Sequence, residues 1–280
     1  FLITFMLIAG SKRVDDFSVK RPELLKLANT SSATLTALVK KGVLKITEKI
    51  SSRLEKHDAL TDPESIILTQ QQQSALDRIN TLFQERKVVL LHGVTSSGKT
   101  EIYVRLIDEV IRRGKQVLFL LPEIALTTQI INRLRKFFGD KVGVYHSKYN
   151  EFERVEIWNH VIRSGEETTD GNEKYRVILG ARSALFLPFS NLGLVIVDEE
   201  HDTSYKQYAP APRYLARDAA IMLAHMHNAP TLLGSATPSV ESYFNAGLGK
   251  YGLAELTERY GGVQMPEIVV ADLKNETRRK

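Results

Sequence analysis

The chain has 280 residues, enough for about two domains. Its hydrophobic content of 43% and charged content of 25% are ordinary for a soluble globular protein, so composition alone excludes little, and the net charge of +5 favours a polyanionic partner only mildly. The absence of cysteine excludes disulfides, thiolate zinc sites and cysteine nucleophiles from this chain, and it is compatible with a cytoplasmic location.

The chain opens with the apolar run FLITFMLIAG, which is too short to span a bilayer and follows no basic segment. We interpret it as a buried strand or helix, and we expect no membrane association. Because the chain lacks a starting methionine and ends in the charged run NETRRK, we expect it to be a piece of a longer protein.

The pattern in residues 1–60 predicts a small winged-helix domain. Pro22 marks a helix start, TLTALVKKG predicts a second helix that stops at Gly42, and VLKITEKISSRLE alternates loosely like a β-ribbon. This outline is related to the helix-turn-helix modules that bind nucleic acid. Three lysines at the helix end and ribbon are candidate DNA contacts: Lys40, Lys41 and Lys45. A solvated face or a protein-binding module remains the alternative.

The run HDALTDPES mixes turn formers and acids with little periodic apolarity, so we predict a linker at residues 61–67 and a second domain over residues 68–280. That domain begins with a helix whose buried stripe includes Leu76, Ile79 and Leu82. The continuous apolar runs VVLLH, QVLFLL, VGVYH, RVILG, LVIVDEE and TLLGS then alternate with helices near residues 99–113, 126–138, 150–163, 213–227 and 238–247. This alternation predicts an α/β fold with a parallel sheet covered on both faces.

The first apolar run leads into GVTSSGKT, a complete phosphate-binding loop in a strand-loop-helix context. Its glycines allow successive N–H groups to turn toward phosphate, Lys99 supplies a compact positive charge, and the Thr100 hydroxyl can ligate Mg²⁺. The predicted nucleotide-binding residues here are Gly93, Val94, Thr95, Ser96, Ser97, Gly98, Lys99 and Thr100.

A second motif, DEEH, ends the apolar run LVIV. We predict that Asp198 orients Mg²⁺ and that Glu199 polarises the attacking water. His201 is either a coupling residue that senses the nucleotide or an ordinary capping or core histidine. The coupling interpretation pairs it with a later strand end, whose residues are Ser235, Ala236 and Thr237.

Other polar residues are candidate ligand contacts, each with a structural alternative. Gln72 in LTQQQ can pair with the adenine edge, or it can be a solvated residue at a helix start. Two loops offer phosphate contacts at Thr127, Thr128, Arg182 and Ser183, which can equally cap helices. The segment SYKQYAPAPRY interleaves aromatic and cationic residues that suit base stacking or packing on the sheet edge: Tyr205, Lys206, Tyr208, Arg213 and Tyr214.

Taken together, these motifs resemble those of the PriA family of primosomal replication-restart DNA helicases in superfamily 2. LTxxQ, GVTxSGKTE, LPEIALT, YHS, GxRSALFxPF, DEEHDxSYKQ, RYxARD and GSATPS follow one another in that family's order over about residues 66–274. The resemblance implies a RecA-like helicase lobe 1 behind a winged helix, from a 3′-to-5′ helicase that uses ATP and Mg²⁺. It also implies forked or single-stranded DNA, primosome proteins and single-strand-binding proteins as partners.

The family's second lobe with its arginine finger, and its cysteine-rich zinc insertion, have no counterpart in this sequence. We therefore expect zinc only in a downstream part, and weak nucleotide binding and poor hydrolysis by this chain alone. Two other functions remain open. One is a DNA-fork recognition or primosome-scaffold module, and the other is a different superfamily 2 motor, such as an RNA helicase or a branch-migration translocase.

Overall fold

The computed structural model of the chain describes residues 24–26, 28–29, 31–43, 61–123, 128–145, 151–163 and 175–259. The chain divides into two compact units, residues 1–52 and 53–280. In the first unit, helix α1 spans Ser32–Lys40 and buries Leu35, while Lys40 and Lys41 are exposed. Lys45 and the predicted ribbon lie outside the described residues, so the winged-helix domain stays a prediction.

The second unit is built on a sheet of seven parallel strands, which confirms the predicted α/β class. The strands are β1 (Val88–Gly93), β2 (Gln116–Leu120), β3 (Val142–Tyr145), β4 (Val177–Gly180), β5 (Leu192–Asp198), β6 (Thr231–Ser235) and β7 (Gly252–Leu256). Their order across the sheet is β3-β4-β2-β5-β6-β1-β7. The ends of β5, β6 and β1 therefore lie side by side near the middle of the sheet.

Among the described residues of this unit, six α-helices connect or flank the strands. They are α2 (Gln70–Glu85), α3 (Lys99–Arg112), α4 (Thr128–Phe138), α5 (Glu151–Arg163), α6 (Ala216–Met226) and α7 (Val240–Gly247). Within the part of the chain that the structure describes, no helix is long and apolar enough to cross a membrane.

Apolar side chains of the strands pack on both faces of the sheet. Along β1, Val89 and Leu91 join the core under α2 and α3, whereas Val88 and Leu90 join the opposite core under α6. Successive residues of a strand point to opposite faces, so a strand buried on both sides has to be apolar throughout. The continuous apolar runs in the sequence have this physical origin.

Residues 61–67, predicted as a linker, include a short 3-10 turn at Pro63–Ser65 that lies on the second unit. Pro63 is buried, the Thr61 N–H donates to the Lys136 carbonyl, and Glu64 forms an ion pair with Arg112. The domain boundaries predicted from the sequence remain a prediction.

Two elements differ from the sequence pattern. Strand β7 was not predicted, and it pairs with β1 as the edge of the sheet, with Leu91 opposite Ala254. Helix α6 begins at Ala216 and not near residue 213, because Lys206 and Leu215 form an antiparallel bridge before it.

Candidate nucleotide site

The predicted catalytic motifs meet at the carboxyl ends of three adjacent strands. Parallel strands place their ends at one edge of the sheet, where open α/β proteins bind ligands. Asp198 at the end of β5 is paired with Gly234 of β6, and His92 near the end of β1 is paired with Ser235 of β6. The loop after β1 therefore faces the carboxylates that follow β5.

The phosphate-binding loop has the backbone geometry that its glycines allow. Gly98 adopts a left-handed conformation with φ of +85° and directly precedes helix α3. A Cβ added there would lie 2.0 Å from the Gln72 amide nitrogen and would have to adopt this left-handed conformation, so glycine is strongly favoured. The Lys99 ammonium donates to the Gly93 carbonyl at 2.9 Å and lies 4.0 Å from the Glu199 carboxylate. The lysine is thus held across the loop, with its charge directed at the acidic motif.

The Asp198 carboxylate is held by a buried tyrosine that the sequence reasoning missed. Tyr103 of α3 is fully buried, and its hydroxyl donates to Asp198 Oδ1 at 2.8 Å. Burial raises the pKa of Asp198, and the hydrogen bond from Tyr103 acts in the opposite direction. Burial and the charge of Asp198 raise the pKa of Tyr103, so it stays protonated as a donor. The one sequence signal was a tyrosine among the apolar positions of the helix that follows Lys99.

Glu199 lies in a backbone conformation that is unusual for a side chain with a Cβ. Its φ is +47°, and its side chain is 36% exposed. Such left-handed residues cost free energy and collect at functional sites. The carboxylate lies between two cationic or titratable groups, Lys99 at 4.0 Å and His201 at 3.7 Å.

The predicted coupling residues are in contact with one another. His201 Nδ1 lies 2.8 Å from Ser235 Oγ, and His201 Nε2 lies 3.3 Å from Thr237 Oγ1. The Thr237 N–H also donates to Ser235 Oγ at 3.0 Å, across Ala236. A hydrogen-bonded path therefore joins the acidic motif to the loop after β6, while its coupling role stays a prediction.

Gln72, the predicted adenine contact, joins the start of helix α2 to the phosphate loop. Gln72 is buried, its Oε1 accepts from the Thr69 N–H, and its Nε2 donates to the Ser97 carbonyl of the phosphate loop. The first bond belongs to a capping box at the start of α2. Adenine pairing by Gln72 stays a prediction, while in this conformation the side chain is buried and each end of its amide has a partner within the protein.

Residues 205–215 form a hairpin-like loop, which is closed at its base by the antiparallel bridge between Lys206 and Leu215. We call this loop the aromatic hairpin. Besides the bridge at its base, the Gln207 N–H donates to the Tyr214 carbonyl. Tyr205 is buried in the core under α6, and its hydroxyl donates to the Asp198 carbonyl at 2.7 Å. The predicted base stacking by Tyr205 therefore needs correction, since its ring has no exposed face.

Other aromatic side chains of this surface are exposed. Tyr208 is 61% exposed, and the Lys206 ammonium lies 5.0 Å from its ring centre. Phe186, also 61% exposed, packs edge-on against Tyr214 at 5.5 Å. Phe186 was not among the predicted DNA contacts, because an aromatic residue in an apolar sequence run resembles a core residue.

Arg182 binds the backbone of the aromatic hairpin and of the residue just before it. Its guanidinium donates to the carbonyls of Ser204 and Lys206, at 3.3 and 3.0 Å. The predicted phosphate contact is thus engaged with backbone oxygens, which makes Arg182 a support for the hairpin in this conformation.

The remaining predicted DNA contacts differ in how far they are exposed. Ser183 is half-buried, Thr128 is exposed at the first residue of α4, and Arg213 is exposed on the aromatic hairpin. Thr127 lies outside the described residues. Their roles stay predictions.

The donor set fits Mg²⁺ carried by a nucleotide. Magnesium is usually held by one or two carboxylates together with substrate phosphates and waters. Asp198 supplies a carboxylate at the edge of the sheet, and Thr100 supplies a hydroxyl in the first turn of α3. No cluster of three or more His, Cys, Asp or Glu side chains is placed to hold a metal among the described residues, and a site of this kind does not need one.

Comparison with known proteins identifies this arrangement. The family model for the DEAD/DEAH box helicase matches residues 69–245. The chain is 42% identical over 259 residues to the replication restart protein PriA of Bacillus subtilis, with 91% of this chain and 31% of the relative covered. It is 40% identical over 270 residues to PriA of Chlamydia trachomatis, with 92% of this chain and 34% of the relative covered. The chain thus spans about a third of the length of these relatives.

Solved structures are more distant. The crystal structure of the DUF1998 helicase MrfA bound to DNA gives a TM-score of 0.48 at 16% identity, covering 77% of this chain and 29% of that one. A DEAD box protein from Methanococcus jannaschii gives a TM-score of 0.44 at 15% identity, covering 69% of this chain and 55% of that one.

Proposed function

This chain belongs to the DEAD/DEAH box helicase family, and from that premise we propose that it is the nucleotide-binding lobe of an ATP-driven DNA helicase of the PriA type, acting in replication restart. One observation carries the proposal. The phosphate loop and the acidic motif face each other at 4.0 Å through Lys99 and Glu199, and the same acidic motif is bonded to the aromatic hairpin.

Each residue of the site has a defined task in nucleotide hydrolysis. Bound Mg²⁺ would neutralise phosphate charge, and Thr100 and Asp198 are the residues that would hold it. Lys99 offers a positive charge to the terminal phosphates, and the N–H groups at the start of α3 face the same anion. Glu199, partly exposed next to Lys99, is placed to orient an attacking water.

The aromatic hairpin is the proposed contact to DNA. Exposed Tyr208 and Phe186 offer ring faces to unpaired bases, and Lys206 adds a cation beside Tyr208. Because Tyr205 connects the hairpin to the backbone of Asp198, a bound strand would act directly on the acidic motif. We propose forked or single-stranded DNA as the substrate, primosome and single-strand-binding proteins as partners, and the cytoplasm as the location.

Nucleotide binding tests the first half of the proposal. Titration calorimetry with Mg²⁺ and a non-hydrolysable ATP analogue should show binding by the wild-type chain and its loss in Lys99→Ala. Glu199→Gln is the matched control, because it keeps the phosphate loop and the Asp198 carboxylate, and it should still bind the analogue. Equal binding by wild type and Lys99→Ala would overturn the assigned site.

The polynucleotide preference tests the second half. Forked DNA, single-stranded DNA, duplex DNA and RNA should be compared as ligands of the chain at one salt concentration, since salt alone changes such affinities greatly. We expect forked and single-stranded DNA to be preferred. A clear preference for RNA would favour a different superfamily 2 motor, and DNA binding without nucleotide binding would favour a scaffold module.

A further inference from the structure

The third carboxylate of DEEH has no role in the site described so far. Glu200 is 1% exposed, while its neighbours Asp198 and Glu199 border the nucleotide site. A buried carboxylate costs free energy unless donors surround it. Glu200 therefore has to be explained by its partners.

Four donor bonds reach the Glu200 carboxylate. Oε1 accepts from the Ser239 N–H at 2.6 Å, and Oε2 accepts from the hydroxyls of Ser239 at 3.1 Å and Ser242 at 2.8 Å. The Arg217 guanidinium adds a buried ion pair with Oε2 at 3.0 Å. Arg217 also donates to Ser239 Oγ at 2.7 Å, so the donors are bonded to one another as well. We call these four residues the Glu200 cluster.

The donors lie at the starts of helices α6 and α7. Helix α6 follows the aromatic hairpin, and helix α7 follows the loop after β6. Arg217 lies in the first turn of α6, directly after the aromatic hairpin. Ser239 is the N-cap of α7, directly after the loop of Ser235 and Thr237, and its hydroxyl also accepts from the Ser242 N–H. The cluster thus joins the end of the hairpin to the start of α7.

Glu200 also belongs to the turn that carries the water-orienting residue. Its N–H donates to the Gly234 carbonyl at 3.1 Å, which binds the turn to the end of β6. Glu199, one residue earlier, has the left-handed φ of +47°. Strained conformations persist only where surrounding bonds over-determine them, and the Glu200 cluster supplies such bonds on the far side of the turn.

We propose that Glu200 is a positioning residue that couples DNA binding at the aromatic hairpin to the nucleotide site, with Arg217 as its partner. A displacement of the hairpin moves Arg217, and Glu200 passes the displacement to the Glu199 turn and to the start of α7. The inference rests on the proposed function, because it requires both ligands. The coupling free energy can be measured with either ligand, because each ligand changes the affinity for the other by the same factor.

The test measures that factor directly in the full chain. The dissociation constant of single-stranded oligothymidylate is determined with and without Mg²⁺ and a non-hydrolysable ATP analogue, for wild type, Glu200→Gln and Ser242→Ala. Ser242→Ala removes one hydroxyl donor and keeps the ion pair, so it serves if Glu200→Gln does not fold. Gln116→Ala is the matched control: Gln116 is also a fully buried side chain, with hydrogen bonds that include those to Val161, Ser190 and Asn191, but it lies at the start of β2.

We expect a coupling factor in the wild type within the usual range of about 5 to 150-fold. Glu200→Gln should bring it close to one, Ser242→Ala should reduce it partly, and Gln116→Ala should retain it even though the fold is less stable. Wild-type coupling in both cluster variants, or equal loss of coupling in Gln116→Ala, would overturn the positioning role. A wild type that binds both ligands without coupling also overturns it while the nucleotide site stands, whereas no nucleotide binding at all removes the proposed function itself.

Discussion

Three consecutive carboxylates in this chain have three different surroundings, and the surroundings decide what each can do. Asp198 is buried with a tyrosine donor, Glu199 is partly exposed beside a lysine, and Glu200 is enclosed by an arginine and two serines. A side chain's chemistry is set by burial and partners as much as by its type. The residue scale is therefore where the site is most directly testable.

Magnesium-dependent nucleotide binding should have an acid limit, which is the pH below which binding is lost. Tyr103→Phe should shift this acid limit to higher pH. The change removes the donor to Asp198 Oδ1, so the pKa of Asp198, already raised by burial, rises further. A hydrogen bond to a charged group is worth about 1.5–3 kcal/mol, which corresponds to about one to two pKa units. Calorimetric binding of Mg²⁺ with an ATP analogue, measured from acid to neutral pH, checks the shift.

The loss of the Tyr103 hydrogen bond should also change the free energy of unfolding, by an amount that depends on pH. Because the folded pKa of Asp198 lies above its unfolded value, its protonated form favours folding, and stability falls as pH rises through the folded pKa. Tyr103→Phe should therefore lose most stability above that pKa, where the charge is present without its donor. Tyr145→Phe, on the edge strand β3, is the control and should leave the acid limit in place. An unchanged limit in Tyr103→Phe would refute the role of the hydroxyl.

Gly234→Ala should disturb the hydrogen bond between the Tyr103 hydroxyl and Asp198 Oδ1, because residue 234 lies next to both groups. A Cβ at residue 234 would lie 1.9 Å from the Tyr103 hydroxyl and 3.1 Å from Asp198 Oδ1. Overpacking of this kind costs about 1–3 kcal/mol, and it should move the acid limit as Tyr103→Phe does. Gly247→Ala on α7 is the matched control, since its Cβ meets nothing within 4 Å and should be neutral or stabilising by up to about 1 kcal/mol. Denaturant unfolding of both variants distinguishes a local clash from a general intolerance of alanine.

Single residues could be predicted from the sequence only where a local motif defines their geometry. Lys99 and Asp198 follow from the spacing of a loop and from the end of a strand, and the structure places both at one edge of the sheet. Tyr205 could not be predicted, because the alternation of aromatic and cationic residues is the same whether a given ring points to solvent or to the core. Gln72 was equally ambiguous, since a capping box uses the same glutamine that an adenine contact would use.

At the scale of elements, the aromatic hairpin is held at its base and exposed at its tip. Arg182 binds its approach through two carbonyls, and Tyr205 binds it to the acidic motif. Strands were predictable where both faces of the sheet are covered, because every residue then has to be apolar. Strand β7 was not, since an edge strand tolerates the weak β-formers Gly252, Ala254 and Glu255.

Arg182→Lys distinguishes support of the hairpin from a direct phosphate contact. Lysine keeps the charge, but its side chain is one bond shorter and lacks the rigid guanidinium whose Nη1 donates to both carbonyls. If Arg182 acts as the structure shows, Arg182→Lys should weaken binding of single-stranded DNA as much as Arg182→Ala does, with an unchanged salt slope. A phosphate contact instead predicts that lysine rescues binding and that alanine reduces the slope by about 0.7. Titrations of an oligonucleotide at several salt concentrations decide between them.

Phe186→Ala and Tyr208→Ala should each weaken binding of single-stranded DNA without a change in salt dependence. Both rings are exposed, and stacking of a base on an aromatic side chain is worth about 1–3 kcal/mol. Phe152→Ala is the control, since it removes an exposed ring from α5, next to the edge of the sheet. Fluorescence anisotropy with oligothymidylate gives the three affinities, and equal losses in all three variants would argue against a specific stacking surface.

At the scale of the whole molecule, the residues of the candidate nucleotide site all belong to the unit of residues 53–280. Ligand binding to a folded unit raises its free energy of unfolding by about 2.7 kcal/mol at a ligand concentration of 100 Kd. For a unit of roughly 150–250 residues, each kcal/mol raises Tm by about 2–4 °C. Scanning calorimetry with Mg²⁺ and an ATP analogue should therefore shift the transition of this unit by about 5–10 °C and leave any separate transition of residues 1–52 in place. Lys99→Ala should abolish the shift, and nucleotide with EDTA should give a smaller one. An equal shift of all transitions, or a shift retained in Lys99→Ala, would place the nucleotide elsewhere in the chain.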